Sequence, residues 1–186
     1  VIKNMCGVDL ESKKDMIKQR LINFCQANRI SSFEALSSKV VVDRFMRQEI
    51  VNLITTNETY FYRELPQLQA AIYYAREELD SVRILCAPCS TGDEAYSLGM
   101  LAHSNLLDVN RVSIVGIDIN SEAIDSCKKG VYSERSLHRL NDNQKNIYFT
   151  KRDGKYEIKR EMLPRCEFSV ANIFDDAIFK LGKFDI

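Results

Sequence analysis

The spacing of apolar and polar positions divides this chain into a helical front third and a remainder in which strands and helices alternate. Before residue 80 the apolar residues recur every three or four positions, and no run shows the two-residue period of a strand. Residues 13–28 predict a first helix with Ser12 as its N-cap. Two shorter helices are predicted to begin at Ser31 and Val42, so the front third is expected to form a small helical unit.

Short apolar runs alternate with helical spacing from Val82 onward. The runs 82–87, 112–117 and 166–170 predict buried strands, and residues 93–102 predict a helix between the first two. Strands separated by helices imply a parallel sheet. Before them, Pro66 stands at the first position of an amphipathic helix that connects to this α/β part.

A more polar stretch interrupts the alternation at about 146–165. Its two short β runs flank Asp153-Gly154, which predicts an antiparallel hairpin because this dipeptide favours a tight turn. We therefore expect an α/β protein with a helical domain at 1–64. A second domain at 65–186 is expected to contain the hairpin subdomain.

Composition excludes several classes of function. The chain has 186 residues, with 26 Lys and Arg against 26 Asp and Glu, so it is not a generic binder of nucleic acid. It shows no signal peptide and no apolar span of about 18 residues, so we expect no membrane insertion. Most of the six cysteines lie on apolar stretches, as reduced cytoplasmic thiols do. Cys86-x-x-Cys89 has no second pair of ligands, so no metal site is expected.

The order strand, small-residue turn, helix, strand and acid, which runs from Val82 to Asp118, predicts a nucleotide-type cofactor site. The turn, Pro88–Gly92, allows close approach of the backbone to a ligand. Asp118 ends the second strand, where a carboxylate accepts hydrogen bonds from ribose hydroxyls. The alternative for Asp118 is an N-cap of the next helix, although Asn120 and Ser121 are better placed for that.

The turn does not suit a pyrophosphate. Only Gly92 of a G-x-G-x-x-G set is present, and Glu94 puts a carboxylate where a phosphate would bind. These residues favour a ribonucleoside with a cationic end, such as S-adenosylmethionine (SAM). Glu94 has a second explanation, because acids stabilise the first turn of a helix. From the residues alone, Asn57 and Arg63 are better explained as a helix N-cap and a solvated charge.

Four ordered motifs resemble those of the CheR-type chemotaxis receptor methyltransferases. Residues 90–97 (STGDEAYS) resemble the family's S-T-G-E-E-P-Y-S, and residues 55–64 (TTNETYFYRE) resemble its T-T-N-x-T-x-F-F-R-E. Residues 116–120 followed by Gly130-Val131-Tyr132 are similar to its D-I-D and G-x-Y stretch. Residues 170–173 are similar to its x-x-N-L. Together they are far more specific than any one alone.

The resemblance implies a Rossmann-like class I methyltransferase sheet, of which this chain carries the first part, with the next strand beginning at Phe184. It implies methyl transfer from SAM to receptor glutamates, with S-adenosylhomocysteine as the product. Arg63 is then expected near the transferred methyl group, as the catalytic residue. The implied cofactor contacts are Asn57, Thr59, Arg63, Gly92, Glu94, Asp118, Asn172 and Ile173.

The resemblance also implies a partner, the Glu- and Gln-rich cytoplasmic helices of chemoreceptors. The basic stripe Lys13, Lys14, Lys18 and Arg20 would complement them, although such stripes are commonly solvated helix faces. Relatives that bind a receptor tether have a longer, glycine-rich turn in the hairpin, so tether binding is not expected. Two alternatives stay open: an inactive CheR-like binding or signalling module, and a SAM methyltransferase acting on a small molecule.

Overall fold

Three helices form the first of two compact units in the computed structural model, which describes residues 13–186. They are α1 (Lys14–Ala27), α2 (Phe33–Val42) and α3 (Arg44–Ile54). Their apolar faces bury one small core, formed by Ile17, Cys25, Ile30, Leu36, Val40, Ile50 and Ile54. The expected N-cap of α1, Ser12, lies outside the described residues.

Local capping explains where α2 and α3 begin. The side chain of Ser32 accepts a hydrogen bond from Ala35 N, and Asp43 accepts from the backbone N–H groups of Phe45 and Met46. Each acceptor satisfies donors that the first helical turn leaves unpaired. Ile119–Ser121, although distant in sequence, also belong to this helical unit.

The second unit contains the strands. In chain order its elements are α4 (Leu65–Glu78), β1 (Val82–Cys86), α5 (Asp93–Ser104), β2 (Val112–Asp118), α6 (Ser121–Lys129, whose first residue belongs to the helical unit), β3 (Val131–Tyr132), α7 (Asp142–Tyr148), β4 (Phe149–Arg152), β5 (Lys155–Ile158) and β6 (Arg165–Val170). The predicted α/β class is confirmed. No helix within residues 13–186 is both long and apolar enough to cross a bilayer.

The parallel sheet has the strand order β1-β2-β6. Strand β2 is central and almost wholly buried, and Asp118 at its end pairs in register with Val170 of β6. The segment after residue 182 continues the sheet beyond β1, since Leu85 N donates to Ile186 O at 2.9 Å. The carboxyl ends of β1, β2 and β6 therefore lie at one edge, where α/β proteins bind ligands.

A small antiparallel sheet has the order β3-β5-β4. The β4–β5 hairpin turns at Asp153 and Gly154, whose φ angles are 48° and 73°. Positive φ at both central residues is what a type I′ hairpin turn requires. The sequence predicted the hairpin but not its third strand, because Val131–Tyr132 is too short to show any periodicity.

The units divide at Thr56 and Asn57 rather than at 64 and 65. Phe61 and Tyr62 explain the difference, because both are buried in the core of the second unit with Ile72 of α4. Polar side chains surround these aromatic residues in sequence. The pattern therefore gave no sign that residues 57–64 pack within the second unit.

Candidate functional site

The turn between β1 and α5 is held close to the end of β2. Cys89 N donates to Ile117 O at 2.8 Å, and Gly92 N donates to Cys89 O at 2.9 Å. Gly92 has φ +88°, and a Cβ atom there would lie 3.0 Å from Cys127 Sγ. Gly92 is thus required both by the left-handed backbone and by the packing beneath the turn.

Asp118 faces this turn. Its side chain is buried, and its Oδ2 accepts a hydrogen bond from Ser90 N at 2.9 Å. The first N–H of α6, that of Ser121, donates to Asn52 Oδ1 at 3.0 Å. A carboxylate fixed between two strand ends is suited to accept further hydrogen bonds from a ligand's hydroxyl groups.

Asn120 has a structural role within the helical unit. Its Nδ2 donates to Thr55 Oγ1 at 2.7 Å, and Gln48 Nε2 donates to the carbonyl of the preceding residue, Ile119, at 2.8 Å. With Asn52 at Ser121, these bonds attach the segment that follows Asp118 to helix α3. Local sequence pattern could not indicate these bonds, because α3 lies about 70 positions earlier.

Glu94 and Arg63 lie close enough to influence each other. Glu94 is in the first turn of α5, and desolvation by surrounding protein raises the pKa of its carboxyl, while the Arg63 guanidinium opposes that rise. Arg63 is exposed, and its Nη1 donates to Glu58 O at 2.6 Å. The structure thus places these two predicted site residues within electrostatic range of each other.

The segment Asn57–Glu64 is not a helix start. Its backbone is irregular through Tyr60 and α4 begins only at Leu65, so Asn57 is not an N-cap. Asn57 is exposed and Thr59 half-buried, in the same segment as Arg63. Phe61 anchors the segment, with its ring 4.8 Å from that of Tyr132 and 5.1 Å from that of Phe149, each edge-on.

A buried serine that the sequence argument did not single out lies beneath this segment. Ser97 Oγ accepts a hydrogen bond from Tyr62 N at 3.0 Å and donates to Asp93 O at 2.6 Å. The sequence feature that could have identified Ser97 is its position as the last residue of the STGDEAYS stretch. Tyr132 was likewise unassigned, and its hydroxyl donates to Thr91 O at 2.9 Å, supporting the turn from the other side.

Asn172 and Ile173 lie just after β6, which ends at Val170. Ala171 N donates to Asp118 O at 3.0 Å, so the chain leaves β6 at the same edge of the sheet as Asp118. Asn172 Oδ1 accepts from Phe174 N at 3.0 Å and shapes the next turn, and the side chain of Ile173 is exposed. Their predicted roles as cofactor contacts remain predictions.

The polar groups at the turn fit a ribonucleoside with a cationic end. Within residues 13–186, the buried side-chain oxygens that lack a hydrogen-bond partner are Ser90 Oγ in this turn and Asp93 Oδ1 at the first residue of α5. Burial also raises the pKa of Asp93, whose other oxygen accepts from Thr91 Oγ1. The unsatisfied Ser90 hydroxyl beside Asp118 is suited to the ribose hydroxyls of a ligand. The Asp93 carboxyl is suited to a sulfonium or ammonium group. These groups do not match a phosphate.

Known proteins share the sequence that forms this site. The family model "CheR methyltransferase, SAM binding domain" matches residues 57–186. A chemotaxis protein methyltransferase of Campylobacter jejuni is 40% identical over all of this chain and 71% of its own length. Chemotaxis protein methyltransferase 2 of Vibrio cholerae is 29% identical, covering 94% of this chain and 65% of its own length. The Salmonella typhimurium chemotaxis protein methyltransferase is 28% identical, covering 100% of this chain and 67% of its own length.

Proposed function

Because this chain belongs to the CheR methyltransferase family, we propose that it methylates glutamate side chains of chemoreceptors and releases S-adenosylhomocysteine. The protein is a SAM-dependent methyltransferase, and chemoreceptors are its substrates. The observation that carries the finer proposal is the carboxylate of Asp118 bonded to Ser90 N beside an unsatisfied Ser90 hydroxyl. Glu94 is four positions after Ser90 in the chain.

Each end of the proposed site has a distinct task. Asp118 accepts hydrogen bonds from the ribose hydroxyls, and Asn172 and Ile173 lie beside the adenine. Glu94 attracts the cationic end of the cofactor, with Asn57 and Thr59 at its methionine part. Arg63 orients the incoming anionic carboxylate, for which a planar guanidinium is suited.

Methyl transfer to a carboxylate needs little acid–base chemistry from the protein. A solvent-exposed Glu has a pKa of about 4.3, so the nucleophile is already ionised near neutral pH. SAM, when bound, supplies a methyl group on a sulfonium whose leaving form is a neutral thioether. The residues therefore have to align the carboxylate oxygen with that methyl group and exclude water from it. No general base is assigned.

The receptor is proposed to dock on the helical unit. Lys13, Lys14 and Lys18 are exposed at the start of α1, whereas Arg20 donates its Nη1 to Leu53 O at 2.8 Å and is half-buried. The stripe therefore presents three lysines rather than four cations. The tight Asp153-Gly154 turn supports docking without a receptor tether.

Five described cysteines are free thiols, which supports a cytoplasmic location.

Two measurements together test the proposed function. Calorimetric titration with SAM, and separately with S-adenosylhomocysteine, should show one binding site. Transfer of a radiolabelled methyl group to receptor helical fragments should give a base-labile methyl ester that is lost when the acceptor glutamates are replaced by alanine. Binding without transfer to any acceptor would indicate an inactive module, and transfer only to small acids would indicate a small-molecule methyltransferase.

A further inference from the structure

The segment that carries Arg63 is joined to helix α5 by one buried side chain. Ser97 has no exposed surface, and its hydroxyl accepts a hydrogen bond from Tyr62 N at 3.0 Å. The same hydroxyl donates to Asp93 O at 2.6 Å, so both of its bonds have defined directions. Ser97 is three positions after Glu94, which places the two residues on the same side of the helix.

The backbone at this point is in an unfavourable conformation. Tyr62 has φ 60° and Glu64 has φ 51°, both in the left-handed region that non-glycine residues seldom adopt. Such conformations persist only where surrounding contacts impose them. Phe61 N donates to Ser136 O at 3.0 Å, so the Ser97 and Ser136 bonds hold two consecutive amides of the segment. Arg63 is the next residue, so these two hydrogen bonds determine where its backbone lies.

We propose that Ser97 is a positioning residue for methyl transfer, whose hydroxyl holds the Arg63 segment in place beside Glu94. This inference rests on the proposed role of Arg63 in receptor methylation. Without the Ser97 oxygen, Tyr62 N would be a buried donor with no acceptor, and the segment would relax toward ordinary backbone angles. Arg63 would then move relative to Glu94, while Asp118 and the turn at Ser90 would keep their own bonds.

Ser97→Ala tests this proposal, with Ser126→Ala as the matched control. Ser126 Oγ donates to Glu122 O at 2.9 Å, so it makes the same bond to the carbonyl four residues earlier in its helix as Ser97 does. Tyr62 N donates to Ser97 and not to Ser126. For Ser97→Ala we expect kcat for receptor fragments to fall about tenfold, with the Kd for SAM within about twofold. Ser97→Thr, which keeps the hydroxyl, should recover most of the rate. Ser126→Ala should behave as the wild type.

A double variant separates positioning from a general loss of structure. If Ser97 acts through Arg63, then Ser97→Ala should change kcat little once Arg63 is already alanine. An equal loss in both backgrounds, or an unchanged kcat in Ser97→Ala, would overturn the proposal. Should Ser97→Ala fail to fold, Ser97→Cys fills nearly the same volume with a weaker acceptor and takes its place.

Hydrogen exchange provides a readout that does not depend on activity. The Tyr62 amide should exchange about tenfold faster in Ser97→Ala than in the wild type, with no change in Ser126→Ala. An equally protected Tyr62 amide would show that Ser97 does not hold the segment. If the wild type methylates no receptor fragment, the proposed function fails, whereas the exchange result still decides whether the hydroxyl holds Tyr62.

Discussion

Two segments beside helix α5 are held in different ways. The turn Pro88–Gly92 is fixed by buried partners on several sides: the Asp118 carboxylate, the Ile117 carbonyl and the Tyr132 hydroxyl. The segment Asn57–Glu64 buries its aromatic residues but leaves Asn57 and Arg63 exposed. The turn is therefore preorganised before a ligand binds, whereas the segment presents solvated side chains from a fixed backbone.

The difference indicates that the turn and the segment have separate functions. A rigid, partly unsatisfied polar cradle favours cofactor affinity, because little ordering is left to be done on binding. An exposed cation near a partly desolvated acid favours interaction with a substrate that arrives from solvent. Changes in the turn should therefore weaken binding, and changes in the segment should slow turnover.

The largest expected effect is on cofactor binding in Asp118→Ala. The substitution removes a carboxylate proposed to bind ribose hydroxyls and leaves Ser90 N without its acceptor, so SAM affinity should fall by about 1.5–3 kcal/mol. Calorimetry on the purified, folded variant measures it. Ser113→Ala, on the same strand but away from the edge, is the control. An unchanged affinity in Asp118→Ala would remove the residue from the site.

The next effect is on turnover at Arg63. Arg63→Ala should lower kcat by roughly 10–30-fold while changing SAM affinity less, because the guanidinium is proposed to orient the acceptor carboxylate. Arg63→Lys should recover only part of the loss, since a point charge does not reproduce a bidentate fork. Steady-state kinetics with receptor fragments gives both constants. Wild-type turnover in both variants would show that Arg63 is only a surface residue.

A smaller effect concerns pH. Burial raises the pKa of Glu94, so the free protein holds this proton to a higher pH than a solvated Glu does. A cationic ligand favours the ionised form, so SAM binding should weaken as pH falls through that raised pKa, and binding should release a proton. Calorimetry in buffers of different ionisation enthalpy detects the release. Glu94→Gln should abolish it, and persistence of the release in that variant would assign the proton to another group.

The contrast between the two segments also shows what the sequence could reveal. The turn lies between apolar runs of clear period, so the positions of Gly92, Glu94 and Asp118 followed from local spacing alone. The segment at Asn57 depends on burial of Phe61 against Tyr132 and Phe149, residues about 70 and 90 positions away. Local pattern cannot report such pairings, and the residues alone favoured a helix start there. Only the family resemblance indicated the role proposed for this segment.

The smallest effect is expected from the basic residues of α1, because exposed charge pairs contribute little individually. Reversing Lys13 and Lys18 to Glu should lower kcat/KM for receptor fragments about three- to tenfold and flatten its salt dependence, since these charges act over about 8–10 Å at ordinary ionic strength. Reversal of Lys129 and Lys180, which are exposed in the other unit and lie outside the β4–β5 hairpin, makes the same change in net charge and should have little effect. Deleting the receptor's C-terminal tether should also change the rate little. A strong tether requirement together with indifference to the α1 reversals would instead make the β4–β5 hairpin the docking element.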